Sequence, residues 1–533
     1  MYHLQATILH RISRTVAQLM IATCCLVNVA SALDSTPAPY DLWIRNGRVH
    51  DGTGSLPIEA DVLVRGDRIV RVGPVENADA RRVIDATGKI VAPGFIDLHA
   101  HGDPLDNESF ANFAVQGITS VLLGQDGSTP GYSSDAGENL SLPEWMDKIG
   151  MAALQTNVMT LVGQGTLRWQ AGVGVAESPT ALQTEAMHSI LREGLEAGAF
   201  GMSSGLEYVP GRYAHREELV GLAAIVGSAN GIVMSHMRSE DSDRIHAALD
   251  EVFAQGKQAR VHVSHLKIVF PATAAEGGDV ISMLEAARAR GISVTADAYP
   301  YLAGYGDMSL LYPPWAKTRT QWDQALATNR PKLEQYLSRR IERRGGAGAI
   351  LLAEAPYINK TLEQVAAGLH KPVIDTVIDV LGFGGPSAAH FNMRKDVQAQ
   401  LVSWKHTAFC TDGGPSLHHP RSWGSYPKVL GEYVRERKLL RMEEAIRKMT
   451  GLPASIVGLA ERGEIRQGGY ADIVIFSPGE VRSAATWSQP ALPPVGIDFV
   501  IVNGCIQVEG SRMTSRDCGR LVRKSGKNRS RSP

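Results

Sequence analysis

Eight short apolar segments recur between residues 94 and 414, and each one ends in a cluster of Gly, Ser, His or Asp. They are rich in Val and Ile without alternation, which is typical of strands buried on both faces of a parallel sheet. Helical patterns lie between several of them, for example from Ser178 to Gly198. This alternation predicts a (β/α)8 TIM barrel. The eight segments read GFIDLHAH, ITSVLLGQDG, NVMTLVGQG, AFGMSSGLEY, GIVMSHMRSE, RVHVSHLK, ISVTADAYPY and TAFCTDGG.

The flanks of this region differ from it, because short strand patterns separated by Gly and Asp turns replace the alternation. Residues 41–92 and 460–523 share this character, which predicts one small β-sandwich domain built from both chain ends. The barrel then occupies residues 93–459. Its last two strands are separated by residues 302–405, where helical patterns predict a helical insertion, since a structureless loop of that length is improbable.

The first 32 residues have the pattern of a secretory signal peptide. Arg11 and Arg14 precede a short apolar stretch, and an Ala-Ser-Ala sequence ends at Ala32. We therefore expect an exported protein, periplasmic or secreted, although an uncleaved N-terminal anchor is the alternative. No later segment is long and apolar enough to predict a membrane span.

Composition excludes some classes of partner. The formal net charge is -1 and 20% of the residues are charged, which does not predict a nucleic-acid surface. The basic segment at residues 524–533 lacks apolar residues, so we expect a disordered tail, with a binding arm as the alternative.

The five cysteines are too few for a disulfide scaffold. Cys24 and Cys25 lie in the predicted signal peptide, which leaves Cys410, Cys505 and Cys518. In an oxidising compartment Cys505 and Cys518 could pair, but the sequence does not decide this.

Candidate metal-ligating histidines and aspartates stand at the ends of five of the eight predicted strands. In a barrel of this type the reactive side chains lie at those carboxyl ends, and residues two apart on a strand point to the same face. Imidazole and carboxylate ligands together suit Zn²⁺, or another divalent ion such as Mn²⁺ or Co²⁺. The predicted ligands are His99, His101, Asp126, His236, His265 and Asp412.

Such a site indicates hydrolysis of an amide or a related carbonyl bond. A bound divalent ion lowers the pKa of water to about 7 and polarises a carbonyl oxygen. Asp412 could accept the proton of the water and return it to a leaving amine. The sequence has no evident phosphate loop, so phosphoryl transfer is a poor alternative. Its Gly-x-Ser-x-Gly match, GMSSG at residues 201–205, lies inside a predicted strand segment. A nucleophilic serine of that motif stands on a turn between a strand and a helix, so covalent catalysis is a poor alternative too.

The chain resembles the amidohydrolase superfamily and, within it, the N-acyl-D-amino-acid deacylase (D-aminoacylase) family. The resemblance extends from about residue 41 to about residue 523. It implies one or two Zn²⁺ ions, a small-molecule N-acylated substrate, and release of a carboxylate and a D-amino acid. The stretches that carry it are APGFIDLHAHGDP, GAFGMSSGLEYVPGRYAHREEL, MSHMRSE, HVSHLK, TADAYPYLAG, CTDGG, HPRSWGSYPKVLGEYVRE, KMTGLPA and ERGEIRQGGYADIVIFSP.

The resemblance also implies substrate-binding residues. By motif position, Lys267, Tyr299 and Arg421 would hold the α-carboxylate of the substrate, and Arg offers a bidentate fork for such a group. Tyr305 stands where the family commonly has a small Ser-like contact, so it would narrow or reshape the pocket.

Two further positions depart from the family pattern. Asp126 replaces the cysteine ligand that usually follows strand two, and a carboxylate could bridge two metal ions. Gln164 stands where a Gly-His-Gly sequence is usual at the end of strand three. These departures leave two alternatives open: a dipeptidase, or a cyclic-amide hydrolase of the hydantoinase or dihydroorotase type. A non-enzymatic barrel that binds acylated ligands predicts an incomplete ligand set, whereas every ligand position here is filled.

Overall fold

The computed structural model describes residues 40–106, 109–133 and 139–524. The predicted signal peptide therefore lies outside the described residues. Strands in the described part are β1 (Tyr40–Val49), β2 (Ile58–Arg65), β3 (Arg68–Gly73), β4 (Ala80–Asp85), β5 (Ile90–Pro93), β6 (Phe95–Asp97), β7 (Ile118–Leu123), β8 (Asn157–Thr160), β9 (Val162–Gly163), β10 (Gly201–Gly205), β11 (Ile232–His236), β12 (Arg260–Val263), β13 (Val294–Ala298), β14 (Ala303–Gly306), β15 (Ile350–Leu352), β16 (Ala388–Phe391), β17 (Thr407–Phe409), β18 (Ile473–Phe476), β19 (Ile497–Val502), β20 (Cys505–Glu509) and β21 (Arg512–Met513).

The α-helices of the same residues follow most of the barrel strands. They are α1 (Ala111–Ala114), α2 (Leu142–Met151), α3 (Gln164–Gln170), α4 (Ala181–Ala197), α5 (Arg216–Ser228), α6 (Ile245–Gln255), α7 (Ala275–Ala289), α8 (Arg319–Arg343), α9 (Leu362–Gly368), α10 (Val373–Asp375), α11 (Lys395–Ser403), α12 (Arg421–Lys428), α13 (Met442–Met449) and α14 (Gly451–Val457).

The central sheet is a closed parallel barrel, which confirms the predicted fold class. Strands β9 to β13 and β17 are paired in parallel, and β6, β7 and β8 form a second parallel group. β8 and β9 are separated by Leu161 alone, so they act as one strand that joins the two groups. The barrel closes where His101 N donates to Gly413 O at 2.8 Å and Asp412 N donates to His99 O at 2.9 Å.

Helix α4 begins and ends where the sequence provides capping residues. In α4, the Thr180 side chain accepts from Gln183 N and the Gln183 side chain accepts from Thr180 N, which is a capping box. The helix ends at Gly198, whose φ of 112° favours glycine. The predicted end of this helix at Gly198 is confirmed.

The long segment between the last two barrel strands contains strands as well as helices. β14, β15 and β16 form a three-stranded antiparallel sheet, which the prediction of a helical insertion at 302–405 missed. These strands are only three or four residues long, so their apolar pattern is too short to recognise. α11 packs against α7 on the outside of the barrel, so the insertion proper ends before residue 395.

The two chain ends meet in a single nine-stranded sheet, as the strand patterns of the flanks predict. β5 from the first end pairs antiparallel with β18 from the second. Side chains alternate between two cores: Ile473 and Ile475 pack inside the β-domain, whereas Val474 and Phe476 pack against the barrel. The β-domain is thereby fixed to the barrel through an apolar interface.

A disulfide joins Cys505 in β20 to Cys518 in the segment after β21. Cys410 is a buried free cysteine. Lys524, the first residue of the predicted disordered tail, donates from its backbone nitrogen to Gly198 O at 2.9 Å. The remaining tail residues, 525–533, lie outside the described residues. Among the described helices, none combines the length and the apolar character that crossing a bilayer requires.

Candidate active site

All six predicted ligand residues meet at the carboxyl end of the barrel. Each follows or ends a short buried strand, so the backbone of the barrel determines its position. The side chains are close enough for their ligand atoms to form two overlapping groups. One group contains His99, His101, Asp126 and Asp412, and the other contains Asp126, His236 and His265.

The first group is held together by two carboxylates. His101 Nε2 lies 3.1 Å from Asp412 Oδ1 and 3.6 Å from Asp126 Oδ2. His99 Nε2 lies 3.4 Å from Asp126 Oδ1 and 3.7 Å from Asp412 Oδ1. Four ligand atoms of nitrogen and oxygen type therefore converge at one point, as a divalent metal ion requires.

Asp126 also belongs to the second group. Its Oδ1 lies 3.8 Å from His236 Nδ1 and 3.6 Å from His265 Nε2. The two imidazole nitrogens are 2.8 Å apart. One carboxylate thus faces both groups, which is the arrangement that lets an aspartate bridge two ions.

Unpartnered buried atoms indicate that the cluster is built for a ligand. Both ring nitrogens of His99 and Oδ1 of Asp126 are buried and have no hydrogen-bond partner among the described residues. Leaving buried polar atoms unpaired costs about 1–3 kcal/mol each. Imidazole nitrogen and carboxylate oxygen are ligands of borderline divalent metals, so such an ion fits this site.

Three of the six ligand residues have left-handed backbone conformations. The φ angles are 55° at Asp126, 37° at His265 and 47° at Asp412. This region costs a non-glycine residue about 1–2 kcal/mol, and such strain clusters at functional sites. All three residues follow the last residue of a barrel strand, and this backbone conformation turns their side chains toward the barrel axis.

Asp412 is paired with a buried cation. Arg421 Nη1 lies 2.8 Å from Asp412 Oδ2. Burial alone would raise the pKa of the Asp412 carboxyl, but the charge of Arg421 and the hydrogen bond with His101 hold it well below its usual range. Asp412 is therefore ionised at neutral pH and is able to accept a proton.

A second buried pair lies behind His265. Lys267 Nζ lies 2.5 Å from Glu240 Oε1, and His265 Nδ1 lies 2.9 Å from the same oxygen. Burial and the Lys267 ammonium lower the pKa of the His265 imidazole, but the carboxylates of Glu240 and Asp126 outweigh them and raise it to about 10. Metal binding must displace such protons, so metal affinity depends on pH.

Asp297 supports the cluster from within the barrel. One of its oxygens accepts a hydrogen bond from His265 N and the other lies 2.9 Å from His262 Nε2. Asp297, in β13, therefore supports two histidines and belongs to neither ligand group. Asp97 has a comparable role, since it accepts hydrogen bonds from His99 N and Thr411 N.

A cavity of about 310 Å³ opens over the metal-ligand cluster. The four predicted substrate-binding residues line it, namely Lys267, Tyr299, Tyr305 and Arg421. The Arg421 guanidinium lies 4.9 Å from the centre of the Tyr299 ring and 5.8 Å from that of Tyr305. Arg421 Nε and Tyr299 Oη are buried without a hydrogen-bond partner among the described residues, so both can bind a substrate carboxylate.

Several cavity residues were absent from the predicted site. Glu240 follows His236 by four residues and pairs with Lys267, yet a loop glutamate has no local signature of that role. Glu207 Oε2 lies 3.5 Å from His236 Nε2. Arg344 and His390 reach the cavity from the insertion, and only tertiary structure could reveal them.

Gln164 lies apart from the metal-ligand groups. Its Nε2 donates to Glu218 Oε1 at 2.7 Å, and Glu218 also pairs with Arg168. The glutamine therefore belongs to a buried polar network beneath α3.

Comparison with known proteins agrees with this geometry. Residues 364–508 match the amidohydrolase family. The chain is 35% identical to an N-acyl-D-glutamate deacylase of Alcaligenes xylosoxydans xylosoxydans, over 91% of this chain and 96% of that protein. It is 30% identical to a D-aminoacylase of the same organism, over 92% and 98% of the two chains.

Two solved structures show the same likeness. One is an N-acyl-D-glutamate deacylase from Bordetella bronchiseptica, complexed with zinc and a phosphonate inhibitor, with a TM-score of 0.79 and 31% identity over 91% of this chain and 99% of that chain. The other is a D-aminoacylase with a binuclear metal center, with a TM-score of 0.80 and 30% identity over 91% of this chain and all of that chain.

Proposed function

This chain belongs to the N-acyl-D-amino-acid deacylase family of amidohydrolases, and we propose that it hydrolyses the linear amide bond of N-acyl-D-amino acids. The products are a carboxylate and a free D-amino acid. The observation that carries this proposal is the convergence of four histidines and two aspartates beneath a cavity lined by buried cations. Two relatives that match over nine-tenths of the chain are named N-acyl-D-glutamate deacylase and D-aminoacylase.

We propose Zn²⁺ as the resident ion, held by the six ligand residues with Asp126 facing both groups. Their nitrogen and oxygen donors suit zinc, and a solved relative contains it. When bound, a divalent ion lowers the pKa of water and polarises the carbonyl oxygen of an amide.

Asp412 is the proposed proton shuttle of the reaction. Its carboxylate is ionised, because Arg421 and His101 hold its pKa low. It accepts a proton from the attacking water and delivers the proton to the departing amide nitrogen, which leaves as an amine. Without this transfer an amine anion would have to leave, which is far less favourable.

Arg421 and Tyr299 are proposed to orient the substrate. Both contribute unpartnered buried polar atoms to the cavity, and a guanidinium binds a carboxylate through two parallel hydrogen bonds. Holding the α-carboxylate there would place the amide carbonyl over the metal-ligand cluster. Lys267 lines the same cavity and is a third proposed contact, although its ammonium is also paired with Glu240.

The hydrolysis experiment compares matched substrates. Metal-loaded protein is assayed with the D and L forms of N-acetyl amino acids, and bound metal is measured by emission spectroscopy. We expect bound zinc and a strong preference for the D form. Equal rates on both forms would overturn the proposed substrate, and cleavage of hydantoins or dipeptides in preference to N-acetyl amino acids would favour the alternative hydrolases.

We also propose that the protein is exported. The signal pattern that ends at Ala32 supports this, as does the disulfide between Cys505 and Cys518, because disulfides persist in oxidising compartments. N-terminal sequencing of the protein from a periplasmic or secreted fraction tests it. A mature chain that still begins at residue 1 would contradict signal cleavage.

A further inference from the structure

The cavity contains a third buried cation, Arg344, at a distance along the chain from the predicted site. We infer that Arg344 binds a second carboxylate of the substrate, in addition to the α-carboxylate. This inference rests on the proposed deacylase function and narrows it to substrates with two carboxylates. Arg344 is thus a specificity-determining residue.

Arg344 is as buried as a core residue, yet it lines the cavity in which a substrate would bind. It directly follows α8, it is 4% exposed, and it lines the cavity over the metal-ligand cluster. Its Nε is buried without a hydrogen-bond partner in the described part of the chain. A buried guanidinium that lacks an ion pair is strongly unfavourable unless an anion binds to it.

The acidic residues around Arg344 already have other partners. Glu207, Glu240 and Asp241 act on it electrostatically, but none of them lies within ion-pair distance of it. Glu240 binds Lys267 and His265. Asp241 pairs with Arg340 at 2.5 Å, and Glu207 lies nearest to His236.

The other two cations of the cavity are paired with carboxylates. Arg421 pairs with Asp412 and Lys267 pairs with Glu240. Arg344 is the cavity cation without such a pair among the described residues. Since a guanidinium stays protonated at physiological pH, its counter-charge is expected from the ligand.

Neutral polar groups complete this wall of the cavity. His390 and Asn392 line it beside Arg344. The ring nitrogens of His390 form no hydrogen bond to a described side chain, and Oδ1 of Asn392 is buried without a partner. His390 lies in β16 and Asn392 follows it. The insertion, and not the barrel, therefore forms this wall of the cavity.

A second carboxylate has two possible sources in an N-acyl-D-amino acid. It lies either on the side chain of the amino acid, as in N-acetyl-D-glutamate, or on the acyl group, as in N-succinyl-D-glutamine. Each has a monocarboxylate counterpart of nearly the same shape, in which the second carboxylate is replaced by an amide. These counterparts are N-acetyl-D-glutamine and N-succinamoyl-D-glutamine.

The test measures kcat/KM of the metal-loaded enzyme for these four compounds. We expect kcat/KM to be at least tenfold higher for one dicarboxylate than for its monocarboxylate counterpart. The pair that shows this preference identifies whether the second carboxylate lies on the side chain or on the acyl group. Arg344→Gln should abolish the preference and Arg344→Lys should retain part of it. The matched control is Arg339→Gln, which removes an exposed arginine of α8 and should leave the preference unchanged.

A binding measurement tests the role of Arg344 independently of the deacylase assignment. Calorimetry of the metal-loaded protein compares glutarate with its monoamide, glutaramate, and needs no turnover. Tighter binding of glutarate, lost in Arg344→Gln, supports the inference even if no amide is cleaved. Equal kcat/KM within both substrate pairs, together with equal binding of glutarate and glutaramate, would overturn the role of Arg344. Cleavage of the monocarboxylate substrates would then still support the deacylase assignment.

Discussion

The role proposed for Asp412 requires a carboxylate that remains ionised in a buried site and also exchanges a proton. The positive φ of its backbone places the carboxylate between His101 and Arg421. One oxygen faces the imidazole and the other faces the guanidinium, so both oxygens have polar partners. A carboxylate at the end of a barrel strand is therefore shared between the metal-ligand cluster and the substrate cavity.

We predict that Asp412→Ala lowers kcat by at least about 100-fold, the lower range for losing general acid–base catalysis. Much of the bound metal should remain, because His99, His101 and Asp126 are unchanged. Steady-state kinetics and emission spectroscopy measure the two quantities. Asp323→Ala, which removes an exposed carboxylate of α8, serves as the control, and near-normal kcat in Asp412→Ala would refute the proton-shuttle role.

Arg421 offers a second test at the level of a single residue. Arg421→Ala should raise KM for N-acetyl-D-leucine at least about tenfold, because a charge-assisted hydrogen bond contributes about 1.5–3 kcal/mol. The amide of the same compound, N-acetyl-D-leucinamide, lacks the α-carboxylate and should show a much smaller change. Comparable increases for both compounds would mean that Arg421 does not bind the carboxylate.

Single elements of the barrel depend on conformations that only some residues tolerate. The end of α4 requires a φ of 112° at Gly198, and a Cβ there would lie 2.7 Å from Arg523 Cβ. Within α7, by contrast, a Cβ at Gly278 would meet only Gln400 Oε1, at 3.7 Å. The same substitution should therefore have opposite effects in the two helices.

We predict that Gly198→Ala lowers the free energy of unfolding by about 1–2 kcal/mol, the cost of a left-handed conformation. Gly278→Ala should raise it by about 0.5–1 kcal/mol, because alanine is the better residue in a helix interior. Denaturant unfolding of both variants and the parent measures the changes. A stabilised Gly198→Ala protein would show that this helix end adapts freely.

The whole molecule joins two domains through residues that are buried at their junction. His50, immediately after β1, is 2% exposed and both of its ring nitrogens lack hydrogen-bond partners among the described residues. Burial lowers its pKa to about 4, although the nearby Glu443 of α13 acts in the opposite direction. The neutral imidazole is therefore the form that the folded protein accommodates.

This predicts a loss of stability as the pH falls. Between pH 6.5 and pH 4 the unfolded chain binds a proton at His50 that the folded protein does not, so stability decreases as the pH falls through that window. From pH 7 to pH 4.5 the contribution is about 2 kcal/mol. Denaturant unfolding at both pH values should show that His50→Phe loses less free energy of unfolding than the parent. The control His246→Gln, at an exposed position, should lose as much as the parent. An unchanged loss in His50→Phe would contradict the assignment.

The organisation of the molecule was largely accessible from local patterns. Buried strands and amphipathic helices repeat at distances that a single sequence shows, and a His-x-His pair faces one side of a strand whatever surrounds it. The barrel and a β-domain built from both chain ends were predicted from such patterns, whereas the single nine-stranded sheet of that domain was not. The strands β14, β15 and β16 were missed, since segments of three or four residues carry too little periodicity.

What the sequence alone determined was which chemical groups stand at the ends of the barrel strands, because strand periodicity and barrel topology decide where those positions point. Tertiary structure decided how the groups are partnered. That Asp126 faces both ligand groups, that Arg421 pairs with Asp412, and that Arg344 enters the cavity unpaired are facts about side chains from separate segments. Their distances follow from packing between elements far apart in the chain, which no local pattern encodes.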